Sequence, residues 1–200
     1  MSSSDPDSIA VNRDRWTVAN AGHTDAAAAA AWARDGIWWG MFDVRDSEVG
    51  ALGDVRGLDV VELGCGTAYI SAWFAKRGAR PVGVDPTPAQ LATARRLQAE
   101  TGIEFPLLEA PAESVPLADA SFDLAVSEYG ASLWAVPERW VAEAARLLRP
   151  GGRLVFLTNS VRGLVPVGRT PGRTFAVPGP ITLWLKSAIE PTLQQGNNRP

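Results

Sequence analysis

The chain has 200 residues, 46% of them hydrophobic and 20% charged, which is the composition of a globular domain long enough for one core and too short for two. Its 22 acidic and 19 basic residues are spread evenly and sum to a charge of −3, so no field exists to collect nucleic acid or anionic lipid. No apolar run approaches the roughly 18 residues of a membrane span. We therefore expect a cytoplasmic protein with a small-molecule partner, no nucleic acid and no membrane. One cysteine, Cys65, and one histidine, His23, exclude an internal disulfide and leave too few soft ligands for a metal site.

In chain order, residues 1–25 are polar and read as a loose leader, and the alanine-rich run from Ala26 to Arg34 predicts a helix that Gly36 stops. The segment Ile37-Trp38-Trp39-Gly40-Met41-Phe42 is too apolar to lie open and should pack over the core or over a ligand, where Trp38 and Trp39 are candidates for a substrate wall. From Leu58 a regular alternation begins. Strands are predicted at 58–63, 80–84, 104–108, 122–127 and 153–158, with helices at about 67–77, 88–100 and 137–148. Residues 110–121 are too short for a crossover helix and read as a loop. Strands alternating with helices imply parallel pairing through right-handed crossovers, hence a doubly wound α/β sheet. The three parts are then a leader and aromatic lid segment at 1–57, a core at 58–159 and a divergent or truncated end at 160–200. That end carries six prolines and five glycines in 41 residues, and within it only Ile181 to Ile189 suggests a short helix.

Open parallel sheets bind ligands beyond the carboxyl ends of their strands, here after Glu62-Leu63-Gly64-Cys65-Gly66. Gly64 and Gly66 allow a tight turn and close approach of a ligand to the backbone, and the next helix presents free N–H groups. Asp85 ends the second strand, where a carboxylate can accept hydrogen bonds from two vicinal ribose hydroxyls. The same pattern also describes a dinucleotide site, so a nicotinamide-dependent oxidoreductase is an alternative. Against it, the third glycine of that fingerprint is replaced by Tyr69, and Glu62 would repel a pyrophosphate while attracting an ammonium group. Cys65 has no histidine beside it in sequence to activate it and reads as a small filler. Asp85 could also serve merely to cap the next helix.

Together, V-V-E-L-G-C-G-T at 60–67, V-G-V-D at 82–85, A-E-S-V-P-L-A-D-A-S-F-D at 112–123 and L-L-R-P-G-G-R-L-V-F at 147–156 make the chain resemble the class I S-adenosylmethionine-dependent methyltransferases, in their methyltransferase type 11 branch. The resemblance implies a Rossmann-like, mostly parallel sheet with S-adenosylmethionine as cofactor and methyl transfer to a small-molecule acceptor. It implies that Glu62 and the Gly64-Cys65-Gly66 turn hold the methionine part, Asp85 with Pro86 the ribose, and Ala112 and Glu113 the adenine edge. Ser127 would line the floor. Relatives usually carry an aspartate where this chain has Pro111, which removes an acceptor for the adenine amino group. Glu128 and Tyr129 follow the fourth strand and, with Trp134, are the candidates for touching substrate; Glu128, Tyr129 or His23 could take a proton from the acceptor. The family fold ends in an antiparallel hairpin, and nothing after Asn159 reads as one. The fifth strand would then be an open edge, so either the tail covers it or the chain self-associates. A noncatalytic S-adenosylmethionine-binding protein is the further alternative.

Overall fold

The computed structural model describes residues 6–40, 42–159, 174–176 and 181–187. The polar start at residues 1–5, Met41 and the rest of the Pro/Gly-rich end lie outside them.

Five parallel strands form the centre: β3 (Asp59–Leu63), β4 (Arg80–Asp85), β5 (Leu107–Glu109), β6 (Phe122–Glu128) and β7 (Leu148–Asn159). Their order in the sheet is β5-β4-β3-β6-β7, so the chain starts in the middle, winds out to β5 and returns to β6 on the other side of β3. This reversal beside β3 is the switch point at which a cleft opens. Helices α4 (Tyr69–Lys76), α5 (Pro88–Thr101) and α7 (Pro137–Leu147) make the crossovers, and α5 begins with proline and ends on Gly102 in the left-handed region. Residues 110–121 form no helix, as their length requires.

Alternation along each strand feeds two cores. Val60, Leu124, Val126 and Val155 face one layer with Phe74 and Ile70, while Val61, Leu63, Ala125 and Leu154 face the other with Trp140 and Leu147. At the amino ends of the strands, Asp59, Arg80, Asp123 and Arg149 interlock through ion pairs of 2.6–2.8 Å. The carboxyl ends are thereby left as the open end of the sheet.

Two expectations are corrected here. The hairpin expected to be missing is present: β9 (Ile181–Ser187) pairs antiparallel with β7 from Asn159↔Ile181 to Arg153↔Ser187, and β8 (Thr174–Ala176) pairs antiparallel with β9. The segment 181–187 is thus a strand where a short helix was expected. Its apolar residues Ile181, Leu183 and Leu185 alternate with Thr182, Trp184 and Lys186 at a period of two, and β7 offers an unpaired row of backbone groups that only a strand satisfies. β7 is consequently interior to a seven-stranded sheet, which removes the exposed edge on which self-association was expected.

The polar leader is also structured. α1 (Pro6–Ala19), a π-helical turn (Asn20–Thr24) and α2 (Asp25–Ala33) run on continuously. α1 lacks an apolar face of ordinary width, and distant contacts hold it: Asn12 Nδ2 donates to Trp134 O at 3.0 Å, and Trp16 meets Trp134 edge-on at 5.4 Å. At the turn, Asn20 Nδ2 donates to Ala89 O and to the Thr93 hydroxyl, both at 3.2 Å. α2 packs Trp32 against Phe105, stacked at 5.8 Å. The following segment forms a small ribbon of β1 (Trp38–Trp39) and β2 (Val44–Arg45), then α3 (Asp46–Val49). Among the described residues no helix is long and apolar enough to cross a membrane.

Candidate functional site

The carboxyl ends of β3, β4 and β6, roofed by α1, enclose a cavity of about 280 Å³. Its floor is the turn after β3. The N–H groups of Gly64 and Cys65 both donate to Val84 O, at 2.8 and 2.9 Å, which ties the turn to the neighbouring strand. Gly64 has φ +74° and lies back to back with Gly130: a Cβ on Gly64 would sit 2.7 Å from Gly130 Cα, and one on Gly130 would sit 2.8 Å from Leu63 O. Two glycines are needed because two backbones touch.

Asp85 links this turn to the next. One carboxylate oxygen accepts from Gly66 N at 2.8 Å and the other from Thr87 N at 2.8 Å, and a carboxylate, with about four lone-pair sites, keeps capacity for a further donor. The bond to Thr87 orders the approach to α5 without capping it, since Thr87 is itself the N-cap residue, and Asp85 also stands in the cavity wall. Burial raises the Asp85 carboxyl above its ordinary value.

Glu62 accepts from the backbone N–H and the hydroxyl of Ser71 at 2.8 and 2.5 Å, both on one oxygen, and so caps the first turn of α4. Burial pushes its carboxyl up to about 8. Glu128, at the end of β6, accepts from Gly40 N at 2.9 Å and lies 3.5 Å from the Tyr69 hydroxyl; burial pushes it up to about 6. Burial also raises the Tyr69 hydroxyl and the Cys65 thiol, the latter beneath Gly83, where it serves as the filler expected. Among the described residues no ion pair involves Glu62, Asp85 or Glu128.

Most of the residues singled out from sequence meet here. Glu62, Gly64, Cys65, Gly66, Asp85 and Pro86 line the cavity on one side, and Ala112, Glu113, Glu128, Tyr129 and Trp134 continue the wall. Glu113 spends one oxygen on Val136 N at 3.1 Å, which fixes the entry to α7.

Four of the candidate residues lie outside the cavity lining, among them an exposed His23 and a core Trp39 that follow the plainer readings of their sequence context. Ser127 is fully buried under the floor, donating to Leu63 O at 2.8 Å and accepting from Ser132 N at 3.1 Å, because its side chain points between strands. Trp39 belongs to the core, where its indole donates to Asp46 at 2.9 Å. Trp38 lies outside the cavity lining, with the guanidinium groups of Arg34 and Arg45 over its ring at 5.3 and 4.5 Å. His23 is exposed on the π-helical turn and does not line the cavity.

Sequence reasoning missed Gly130 and the whole roof. Ile9, Asn12 and Trp16 enter from α1, Thr24 from the π-helical turn, and Thr87 and Gln90 from the start of α5. The spacing of residues 9, 12 and 16 is a helical stripe and was the available signal.

Comparison with known proteins agrees with this geometry. Residues 61–156 match the family model of a methyltransferase domain. The chain is 38% identical over 100 residues to a demethylmenaquinone methyltransferase of Thermus thermophilus, covering 49% of this chain and 46% of that protein. It is 32% identical over 148 residues to a malonyl-[acyl-carrier protein] O-methyltransferase of Serratia marcescens, covering 74% and 52%. The chain spans about half the length of these relatives. A solved S-adenosylmethionine-dependent methyltransferase of Mesorhizobium loti superposes with a TM-score of 0.50 at 32% identity, over 57% of this chain and 52% of that one. Strand order, glycine turn, terminal aspartate and sequence likeness agree: residues 61–156 form a methyltransferase domain of the class I S-adenosylmethionine-dependent kind, whose cofactor is S-adenosylmethionine.

Proposed function

We propose that this chain transfers a methyl group from S-adenosylmethionine to a small-molecule acceptor. The observation that carries this reading is the set of three carboxylates, the buried Glu62 and Asp85 and the half-buried Glu128, in one cavity without an ion-pair partner among the described residues. Burying carboxylates unpaired is costly, and a ligand with positive charge relieves that cost. S-adenosylmethionine, when bound, supplies a methyl group already activated by a positively charged sulfur.

The residues fit such a ligand. Glu62 keeps one oxygen clear of the Ser71 bonds and is the group to hold an ammonium; Asp85 offers its remaining lone pairs to a ribose diol. Ala112 and Pro111 give an apolar wall for a planar base, and the left-handed Gly66 lets the ligand approach the backbone. A dinucleotide fits poorly, since its pyrophosphate would meet carboxylates on several sides and no lysine, arginine or histidine among the residues lining the cavity.

In this reading the chain's own contribution is mainly positional. The turn and Asp85 fix one reactant, while the walls contributed by β6 and α1 fix the other and exclude water. Titration calorimetry with S-adenosylhomocysteine and with NADH tests it. Binding of the former and not the latter is expected; binding of NADH alone would overturn the assignment.

A further inference from the structure

Building on the methyltransferase reading, we propose that the acceptor is an uncharged, largely apolar molecule bearing an acidic hydroxyl of the phenol kind, and that Glu128 is the base that takes its proton. The part of the cavity away from the glycine turn is walled by Trp16, Tyr69, Tyr129 and Trp134, which suits a flat apolar body. Two residues of this wall carry polar groups with unused hydrogen-bonding capacity. Glu128 uses one oxygen for Gly40 N–H, while its other has only the long 3.5 Å approach of Tyr69. The Trp134 indole N–H is buried without a hydrogen-bond partner, a state that costs free energy until an acceptor atom arrives.

One base and one unsatisfied donor together recognise a hydroxyl that gives a proton and an oxygen that accepts one. A cationic amine has no lone pair for the indole N–H. An anion would meet Glu62, Asp85, Glu113 and Glu128 with no cation among the lining residues to offset them. Other bases are poorly placed: His23 does not line the cavity, and burial keeps the Tyr69 hydroxyl protonated.

The step balances within the site. The acceptor's O–H bond breaks and its proton passes to the second oxygen of Glu128. The acceptor oxygen forms a bond to the methyl carbon with a lone pair, and the carbon–sulfur bond breaks with its electron pair remaining on sulfur. Glu128 returns the proton to water when product leaves. The titratable groups facing Glu128 are Tyr69 from α4 and Glu62 from β3, and burial already places Glu128 near the range a base requires at neutral pH.

The test uses three probes of one size, para-chlorophenol, para-chlorobenzoate and para-chlorobenzylamine, titrated by tryptophan fluorescence into protein saturated with S-adenosylhomocysteine. We expect para-chlorophenol to bind at least about 10-fold more tightly than either charged probe. Glu128→Gln, at saturating S-adenosylhomocysteine confirmed by calorimetry, should weaken it by about 10-fold, and Trp134→Phe should weaken it severalfold. Para-chlorophenol affinity should rise with pH through about 6 in the wild type and stay flat in Glu128→Gln. Equal or tighter binding of either charged probe to the wild type overturns the acceptor class, and needs no variant to fold. Binding of none of the three to the loaded protein also overturns it and leaves the cofactor reading standing. Absence of S-adenosylhomocysteine binding overturns that reading itself.

Discussion

The two halves of the cavity are built in different ways. The half around Gly64, Gly66 and Asp85 is made mostly of backbone: turns locked to Val84 O, N–H groups held by a carboxylate, and a glycine pressed against Gly130. The half around Glu128 and Trp134 is made mostly of side chains, Trp16 from α1, Tyr69 from α4, Glu128 from β6 and Trp134 from the segment after it. Backbone geometry tolerates almost no substitution, whereas a wall of side chains can be rebuilt residue by residue without disturbing the sheet. A common cofactor with a changing acceptor calls for that division.

The largest effect should come from breaking the glycine contact. Gly130→Ala places a methyl group inside the backbone of Gly64 and should cost about 3 kcal/mol in chemical denaturation, whereas Gly66→Ala meets only its positive φ and should cost about 1 kcal/mol. Equal costs would show that the two backbones do not touch. Asp85→Ala frees two N–H groups and removes the ribose acceptor, and should weaken S-adenosylhomocysteine by about 100-fold in calorimetry.

A pH series sharpens the comparison further. Glu62 holds its proton to about 8 and must release it to pair with an ammonium, so cofactor affinity should rise about 10-fold from pH 6 to 7 and level off near 8. Without ligand the sign reverses for stability. Between 4.5, the ordinary value, and about 8, the unfolded chain binds fewer protons than the folded one, so thermal stability should fall as pH rises across that window. Glu62→Gln should flatten both curves. The smallest effect belongs to the roof: Trp16→Ala removes the edge contact with Trp134 and should speed amide exchange in residues 6–19 by about 10-fold, leaving exchange in β3 unchanged.

The alternation of apolar strands and helices from Leu58 to Thr158, and the Gly64-Cys65-Gly66 turn with Asp85 beyond it, were legible in the amino-acid order, because short-range periodicity and glycine freedom produce them. The helix α1 was not. Its apolar residues do not gather on one face, Val11 and Val18 being exposed, and it docks through Asn12 and Trp16 on Trp134, more than 100 positions away. β9 was hidden likewise, since a short apolar segment becomes helix or strand according to whether an open sheet edge is present to pair it, and β7 supplied that edge. The same distinction runs through the cavity. The order of residues placed Glu62, Asp85 and Glu128 at the ends of three strands; only the folded chain decided which of them are buried, which oxygens are already engaged, and that Trp38 and Ser127 face elsewhere, because burial and hydrogen bonding are properties of neighbours distant in sequence.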